Sequence, residues 1–309
     1  MPTGIFYDKN YDSKIFSFGY IPKSKRNKVK DVIHKIVGYP HFFRRIQARS
    51  ILRLAGSFER KTILDVGCGD GLFCIEYARR GAKKVVGIDV DEELIESGKV
   101  NVSNVGLNNV LLSIGNAECI SVKSHSCDLI ISNCALEHME NDEKVLKEIN
   151  RCLRPDGYLV LTIPYDRRRK VLPIIDFMIK MPRCIQKVFA PDYIQGTHSY
   201  EEAIWKLKRE RFKEVRNYSL EDIKNKLERA NLKLIKYENN LKFFGAMCWD
   251  LIIGLRFFDF NRGMKLAFPV MYLISLLDEL FPKHWRGAEM ALKAKVIRTN
   301  PRKEREVVS

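Results

Sequence analysis

The run Ile63-Leu64-Asp65-Val66-Gly67-Cys68-Gly69-Asp70-Gly71 limits what this chain can become more than any other stretch of it. An apolar strand leads into a glycine-rich turn, and a helical window follows from Leu72 to Arg80. Glycines in such a turn let the backbone approach a ligand closely, and the helix N-terminus offers free amides to anionic or hydrogen-bonding groups. A dinucleotide fingerprint spaces its glycines G-x-G-x-x-G. Here Leu72 stands where the third glycine would be and Gly71 comes one residue early, which disfavours a nicotinamide-dependent oxidoreductase.

The sequel sharpens the reading. Val85-Val86-Gly87-Ile88-Asp89 is a second strand ending in an acid. A carboxylate at the tip of the second strand of such a unit can accept both hydrogen bonds of a ribose diol. Alone, Asp89 would read as a helix cap. After a strand and a glycine turn in this order, the ribose role is preferred.

From Lys61 to Pro164, short apolar runs alternate with amphipathic windows, which predicts a parallel sheet covered on both faces. The expected strands are Thr62 to Val66, Lys84 to Asp89, Val110 to Ile114, Asp128 to Ser132 and Tyr158 to Ile163. Leu72 to Arg80, Glu92 to Asn104 and Asp142 to Leu153 read as helices, the last stopped by Arg154-Pro155-Asp156-Gly157. Further on, Ser219 and Asp222 form a capping box before a helix, Lys233 to Tyr237 reads as a strand, and Ala288 to Arg298 alternates as an antiparallel edge strand does. The expected organisation is a basic arm and leading helix over 1–60, a ligand-binding core over 61–164, helical insertions over 165–217 and 241–286, a return to the core over 218–240, and a last strand and basic tail over 287–309.

Composition excludes several classes. With 46% hydrophobic and 30% charged residues the chain can bury a core, so it is neither disordered nor fibrous. Its 54 Lys+Arg outnumber 38 Asp+Glu for a net +16, and residues 1–60 alone carry +9 of it. The densest basic run, Lys23 to Lys30, reads first as a solvated segment and second as a site for an anionic partner. Eight scattered cysteines without a C-x-x-C pair read as reduced thiols with no metal site, and Met1 to Tyr20 lacks a secretory apolar core. The apolar stretches Phe243 to Phe260 and Leu266 to Phe281 are broken by charges and are too short to span a bilayer. The expected location is the cytoplasm, or peripheral at the inner face of the membrane.

Five ordered motifs over Lys61 to Thr162 carry a family resemblance: I-L-D-V-G-C-G-D-G, V-V-G-I-D-V-D, G-N-A-E at Gly115 to Glu118, C-D-L-I-I-S-N-C-A-L-E-H-M at Cys127 to Met139, and L-R-P-D-G-Y-L-V-L at Leu153 to Leu161. This region resembles the class I S-adenosylmethionine-dependent methyltransferases, especially the small-molecule branch of ubiquinone and menaquinone biosynthesis enzymes. The resemblance implies a Rossmann-like, doubly wound, seven-stranded and mostly parallel sheet with an antiparallel edge strand, capped by the helical insertions. It implies S-adenosyl-L-methionine as cofactor. Asp65, Gly67, Cys68, Gly69 and Gly71 would shape the pocket for its methionine part, Asp89 would hold the ribose, and Val90 would pack near the adenine. Asn116 and Ala117 would sit at the adenine edge; family members often carry Asp where this chain has Asn116. Asn133 would line the methionine end.

Glu137-His138 also follows the family pattern. His138 could serve as a general base. The preferred reading is that the pair anchors the loop and next helix, since nothing in the sequence shows a substrate proton near it. His198, Tyr193 and Tyr200 in the first insertion are equal candidates. The apolar segments Val171 to Phe189 and Leu241 to Trp285 allow a small, lipid-like or glycan-linked acceptor, and with Arg167 to Lys170 they allow contact with a membrane surface. They equally allow helices that pack on each other. The charge permits an RNA methyltransferase. Nucleic acid is the less favoured partner, because there is no RNA-binding module and Asn133-Cys134-Ala135-Leu136 replaces an N-P-P-Y motif. A non-catalytic relative is disfavoured by the intact glycine turn and Asp89.

Overall fold

The computed structural model describes residues 42–165, 216–257 and 270–297. The basic arm before residue 42 and most of the first insertion, with Arg167 to Lys170, Tyr193, His198 and Tyr200, lie outside them.

The elements run α1 (Phe42–Ala55), β1 (Thr62–Val66), α2 (Leu72–Arg79), β2 (Lys84–Asp89), α3 (Glu92–Val105), β3 (Val110–Ile114), β4 (Cys127–Asn133), α4 (Asp142–Cys152), β5 (Leu153–Pro164), α5 (Leu220–Arg229), β6 (Leu232–Asn240), α6 (Phe243–Phe257) and β7 (Glu289–Val296). Short 3₁₀ turns lie at Leu136–His138 and Leu276–Leu280. The strands form one sheet in the order β3-β2-β1-β4-β5-β7-β6. The first five pair in parallel, while β7 is antiparallel to both β5 and β6. The mostly parallel seven-stranded sheet is therefore present, and its antiparallel strand lies one place in from the edge. β6 pairs along nearly all of β7, so Glu289 to Leu292 are buried rather than alternating with solvent.

Successive side chains of a strand face opposite sides of a sheet, and both sides are covered here. Ile63, Leu129, Ile131 and Val160 pack with α1, α2 and α3; Leu64, Ile130, Leu159 and Leu161 pack with α4 and α5. This explains why the strands are apolar throughout. Helix starts are fixed by side chains that accept from the first turn: Asp91 from the Leu94 amide, Asn141 from Lys144 and Ser219 from Asp222. Strand β5 begins at Leu153, five residues before the expected Tyr158, because Leu153 pairs with Cys127 before the register jumps to Tyr158 opposite Leu129.

Candidate functional site

Strand order reverses between β1 and β4, and the crevice at the carboxyl ends of the strands beside such a reversal is where an open α/β sheet binds ligands. The glycine turn stands there. Gly67 and Cys68 both donate their amides to the Ile88 carbonyl at 2.9 and 3.0 Å, strapping the turn to β2. Gly67 has φ +78°, and a Cβ on it would overlap the Ala135 side chain beyond β4. Gly69 has φ +53°, but a Cβ there would find nothing nearer than Leu94 Cδ1 at 3.9 Å. Gly67 is thus needed for packing. Gly69 presents bare backbone to open space, as a ligand cradle requires. Cys68 is buried, so what it offers the crevice is backbone.

Asp65 sits at the floor, 1% exposed. The Cys74 thiol donates to its Oδ2 at 3.4 Å, while Oδ1 has no hydrogen-bond partner. Burial pushes its carboxyl up to about 7. Asp89 ends β2 and accepts the Gly69 amide on Oδ2 at 2.8 Å and the Asp91 amide on Oδ1 at 3.0 Å. Each oxygen keeps a second lone pair for a diol. Val90 beside it is 71% exposed, an apolar side chain left uncovered at the mouth of the crevice. Asn116 accepts the Glu118 amide on Oδ1 at 2.8 Å, which leaves its NH₂ group as the part to meet a ligand, and Ala117 is buried next to it.

Asn133, at the end of β4, is held from two sides. Its Nδ2 donates to Gln47 Oε1 at 3.2 Å, and its Oδ1 accepts from the Thr162 hydroxyl at 2.6 Å. Gln47 donates in turn to Glu289 at 2.8 Å and to the Cys134 sulfur at 3.0 Å. Asn240 donates to the other oxygen of Glu289 at 2.8 Å. Burial raises Glu289 to about 7 and lifts the Cys134 thiol well above its usual value. Sequence reasoning missed this network. Thr162 carried a signal, being a polar residue in an apolar run and the register partner of Asn133. Gln47 and Glu289 carried none, since both read as polar positions of an arm and of an alternating strand.

His138 lies in the 3₁₀ turn after β4, its Nε2 3.9 Å from Glu137 Oε1, and the Glu137 side chain is buried. The Glu137 carbonyl accepts the Arg216 amide at 3.1 Å, so this turn ties the core to the chain that returns from the first insertion. The structure therefore gathers the turn, Asp65, Asp89, Val90, Asn116, Ala117, Asn133 and His138 at one end of the sheet. It adds Arg44 of α1, which holds Asp70 of the turn at 2.9 Å.

A family model for a methyltransferase domain matches residues 57–211, half of the chain. The chain belongs to this family. Family and fold place it among the class I S-adenosylmethionine-dependent methyltransferases, whose cofactor is S-adenosyl-L-methionine. It is similar to a ubiquinone/menaquinone biosynthesis C-methyltransferase of Hydrogenovibrio crunogenus, 29% identical over 158 residues, covering 47% of this chain and 62% of the relative. It is also similar to a ribosomal protein L11 methyltransferase of Thermotoga maritima, 33% identical over 115 residues, covering 37% of this chain and 41% of the relative. The chain thus spans about half the length of these curated relatives. Among solved structures, an S-adenosylmethionine-dependent methyltransferase from Mesorhizobium loti shares the fold with a TM-score of 0.50 at 18% identity, covering 81% of this chain and 97% of that one. The matched residues include the glycine turn, Asp89, Asn116 and Asn133.

Proposed function

We propose that the protein transfers a methyl group from S-adenosyl-L-methionine to a small, apolar acceptor, lipid-like or glycan-linked. The observation that carries this reading is the apolar unit that follows β6. The chain between β6 and β7 leaves the sheet at its carboxyl end and forms an apolar unit of Leu241, Cys248, Met271 and Tyr272 packed on Ile46 of α1. Ile46 neighbours Gln47 and Leu241 neighbours Asn240, so this unit adjoins the network that holds Asn133.

The residues at the crevice suit the cofactor. An unpartnered, buried carboxylate oxygen on Asp65 suits an ammonium group, Asp89 suits a ribose diol, and the exposed Val90 suits the face of an adenine. When bound, the cofactor supplies an electrophilic sulfonium methyl group. The chain's task is then to hold the acceptor in line with it and to exclude water, and alignment alone can contribute about 7 to 11 kcal/mol. Gln47 and Thr162 fix Asn133 so that its amide keeps one orientation at that end of the crevice. No general base is required for such a displacement, and His138, facing Glu137, acts as an anchor of the turn after β4.

The test is transfer of labelled methyl from S-adenosylmethionine into fractionated lipid, glycan and RNA extracts. Label is expected in the lipid or lipid-linked glycan fraction with the native protein and absent with Asp89→Ala. Label in RNA alone would overturn the choice of acceptor.

A further inference from the structure

The opposite end of the sheet carries a feature the methyl-transfer reading does not use. In the antiparallel pair β6–β7, Lys236 stands directly across from Lys293 and Lys233 directly across from Lys295. Like charges at such positions destabilise a sheet. All four face the same side, since Leu234 and Ala294, between them in register, turn into the core with α4 and α5. Lys61, just before β1, reaches the same cluster: burial lowers the Lys293 ammonium first, and the charges of Lys61 and Lys236 lower it further.

Among the described residues, no carboxylate forms an ion pair with Lys233, Lys236, Lys293 or Lys295. Asp128, whose charge acts on Lys61, is already engaged by Arg154 and by the Thr62 amide. Lys293 lies over the Tyr158 ring, 4.1 Å from its centroid, which orients one ammonium without neutralising it. Two isoleucines share the surface: Ile235, the extra residue of the β6 bulge, is 47% exposed and Ile297 is 37% exposed. Lys233, Lys236 and Lys295 are exposed as well.

From this cluster we infer that the surface at the amino ends of β5 and β6 and the carboxyl end of β7 is a docking face for an anionic lipid bilayer. Uncompensated lysines match a negative surface charge. Isoleucines and a tyrosine set among them supply the shallow apolar contact that a membrane interface rewards and a phosphate backbone does not. The face lies roughly 14 to 20 Å along β7 from Glu289, so it would seat the enzyme without covering the crevice. The inference is independent of the acceptor proposed above.

Co-sedimentation of the full chain with vesicles of phosphatidylcholine alone, and of equal parts phosphatidylcholine and phosphatidylglycerol, tests it. Binding is expected only to the anionic vesicles, weakening as salt is added. The triple variant Lys233→Gln, Lys236→Gln, Lys295→Gln should bind them roughly 100-fold more weakly. Its affinity for S-adenosylhomocysteine should be unchanged and its thermal midpoint no lower, since repulsion is relieved. Absence of anionic-vesicle binding by the native chain, or equal binding by the variant, would overturn the inference. So would a variant that loses binding to homopolymeric RNA while keeping vesicle binding.

Discussion

Two neighbouring glycines of the turn should fail in different ways when each is replaced by alanine. Gly67 and Gly69 both have positive φ, +78° and +53°, and a left-handed backbone costs an L residue roughly 1–2 kcal/mol. For Gly69→Ala that is the whole structural cost, because the new methyl meets nothing closer than 3.9 Å. For Gly67→Ala the methyl also collides with Ala135, and forcing an extra methyl into packed structure adds about 1–3 kcal/mol. At roughly 2–4 °C per kcal/mol, the midpoint should fall on the order of 5 °C for Gly69→Ala and on the order of 10 °C for Gly67→Ala. Affinity should differ more sharply. The Gly69 methyl projects into the cradle and should weaken S-adenosylhomocysteine at least ~10-fold in a folded protein. Thermal melts with and without S-adenosylhomocysteine, paired with calorimetric titration, read both quantities. Equal destabilisation by the two substitutions, or full affinity in Gly69→Ala, would refute this division of labour.

Asp89→Ala should leave a cooperative melt and weaken S-adenosylhomocysteine by about 10²-fold or more, as expected for two hydrogen bonds to a charged acceptor at ~1.5–3 kcal/mol each; a titration reads the change. Asp65 and Glu289 are both raised to about 7 by burial, from ordinary values of 3.8 and 4.5. Between those values and about 7 the folded chain holds protons that the unfolded chain has released. Stability without ligand should therefore fall as pH rises through that window, on the order of 3 kcal/mol for each group. Denaturant melts across pH would show it, and Glu289→Gln should flatten the slope. If the Asp65 carboxylate receives the cofactor's ammonium, S-adenosylhomocysteine affinity should instead rise with pH up to about 7, and Asp65→Asn should remove that dependence in calorimetry. Arg53→Ala should destabilise by about 3 kcal/mol or more in thermal melts, because it strips the buried Glu238 of a bidentate partner and Glu279 of one cation.

The parallel core was legible because β1 to β4 are short, largely apolar runs bounded by turn residues. Thr62 to Val66, Lys84 to Asp89 and Val110 to Ile114 needed no correction. The position of the crevice residues was legible for a related reason: local sequence sets the glycine turn and leaves Asp65 within β1 and Asp89 at the end of β2. What could not be read was the role of α1. Its Arg45, Arg49 and Arg53 recur every fourth residue like a solvated stripe, yet all three are largely buried. Arg53 pairs with Glu238 and Glu279, and Arg49 with Glu279, partners about two hundred residues away. Burial by itself would raise Glu279, but Arg49, Arg53 and Lys283 together hold it down at about 2. Ion pairs at such separation leave no periodic trace. Gln47 and Glu289 were hidden in the same way, since α1 and β7 bring them together from opposite ends of the chain. The position of β7 was another such case, because alternation reports antiparallel pairing but not which neighbour closes the edge.

We propose that the crevice beyond β1, β2 and β4 binds S-adenosylmethionine through the glycine turn and Asp89. Calorimetric titration of the full chain with S-adenosylhomocysteine, with NAD as control, tests it most directly. One saturable site for S-adenosylhomocysteine, none for NAD, and loss of the site in a folded Asp89→Ala variant is the predicted result. A folded native protein that gives no saturable heat with S-adenosylhomocysteine, or that binds NAD in its place, would contradict it.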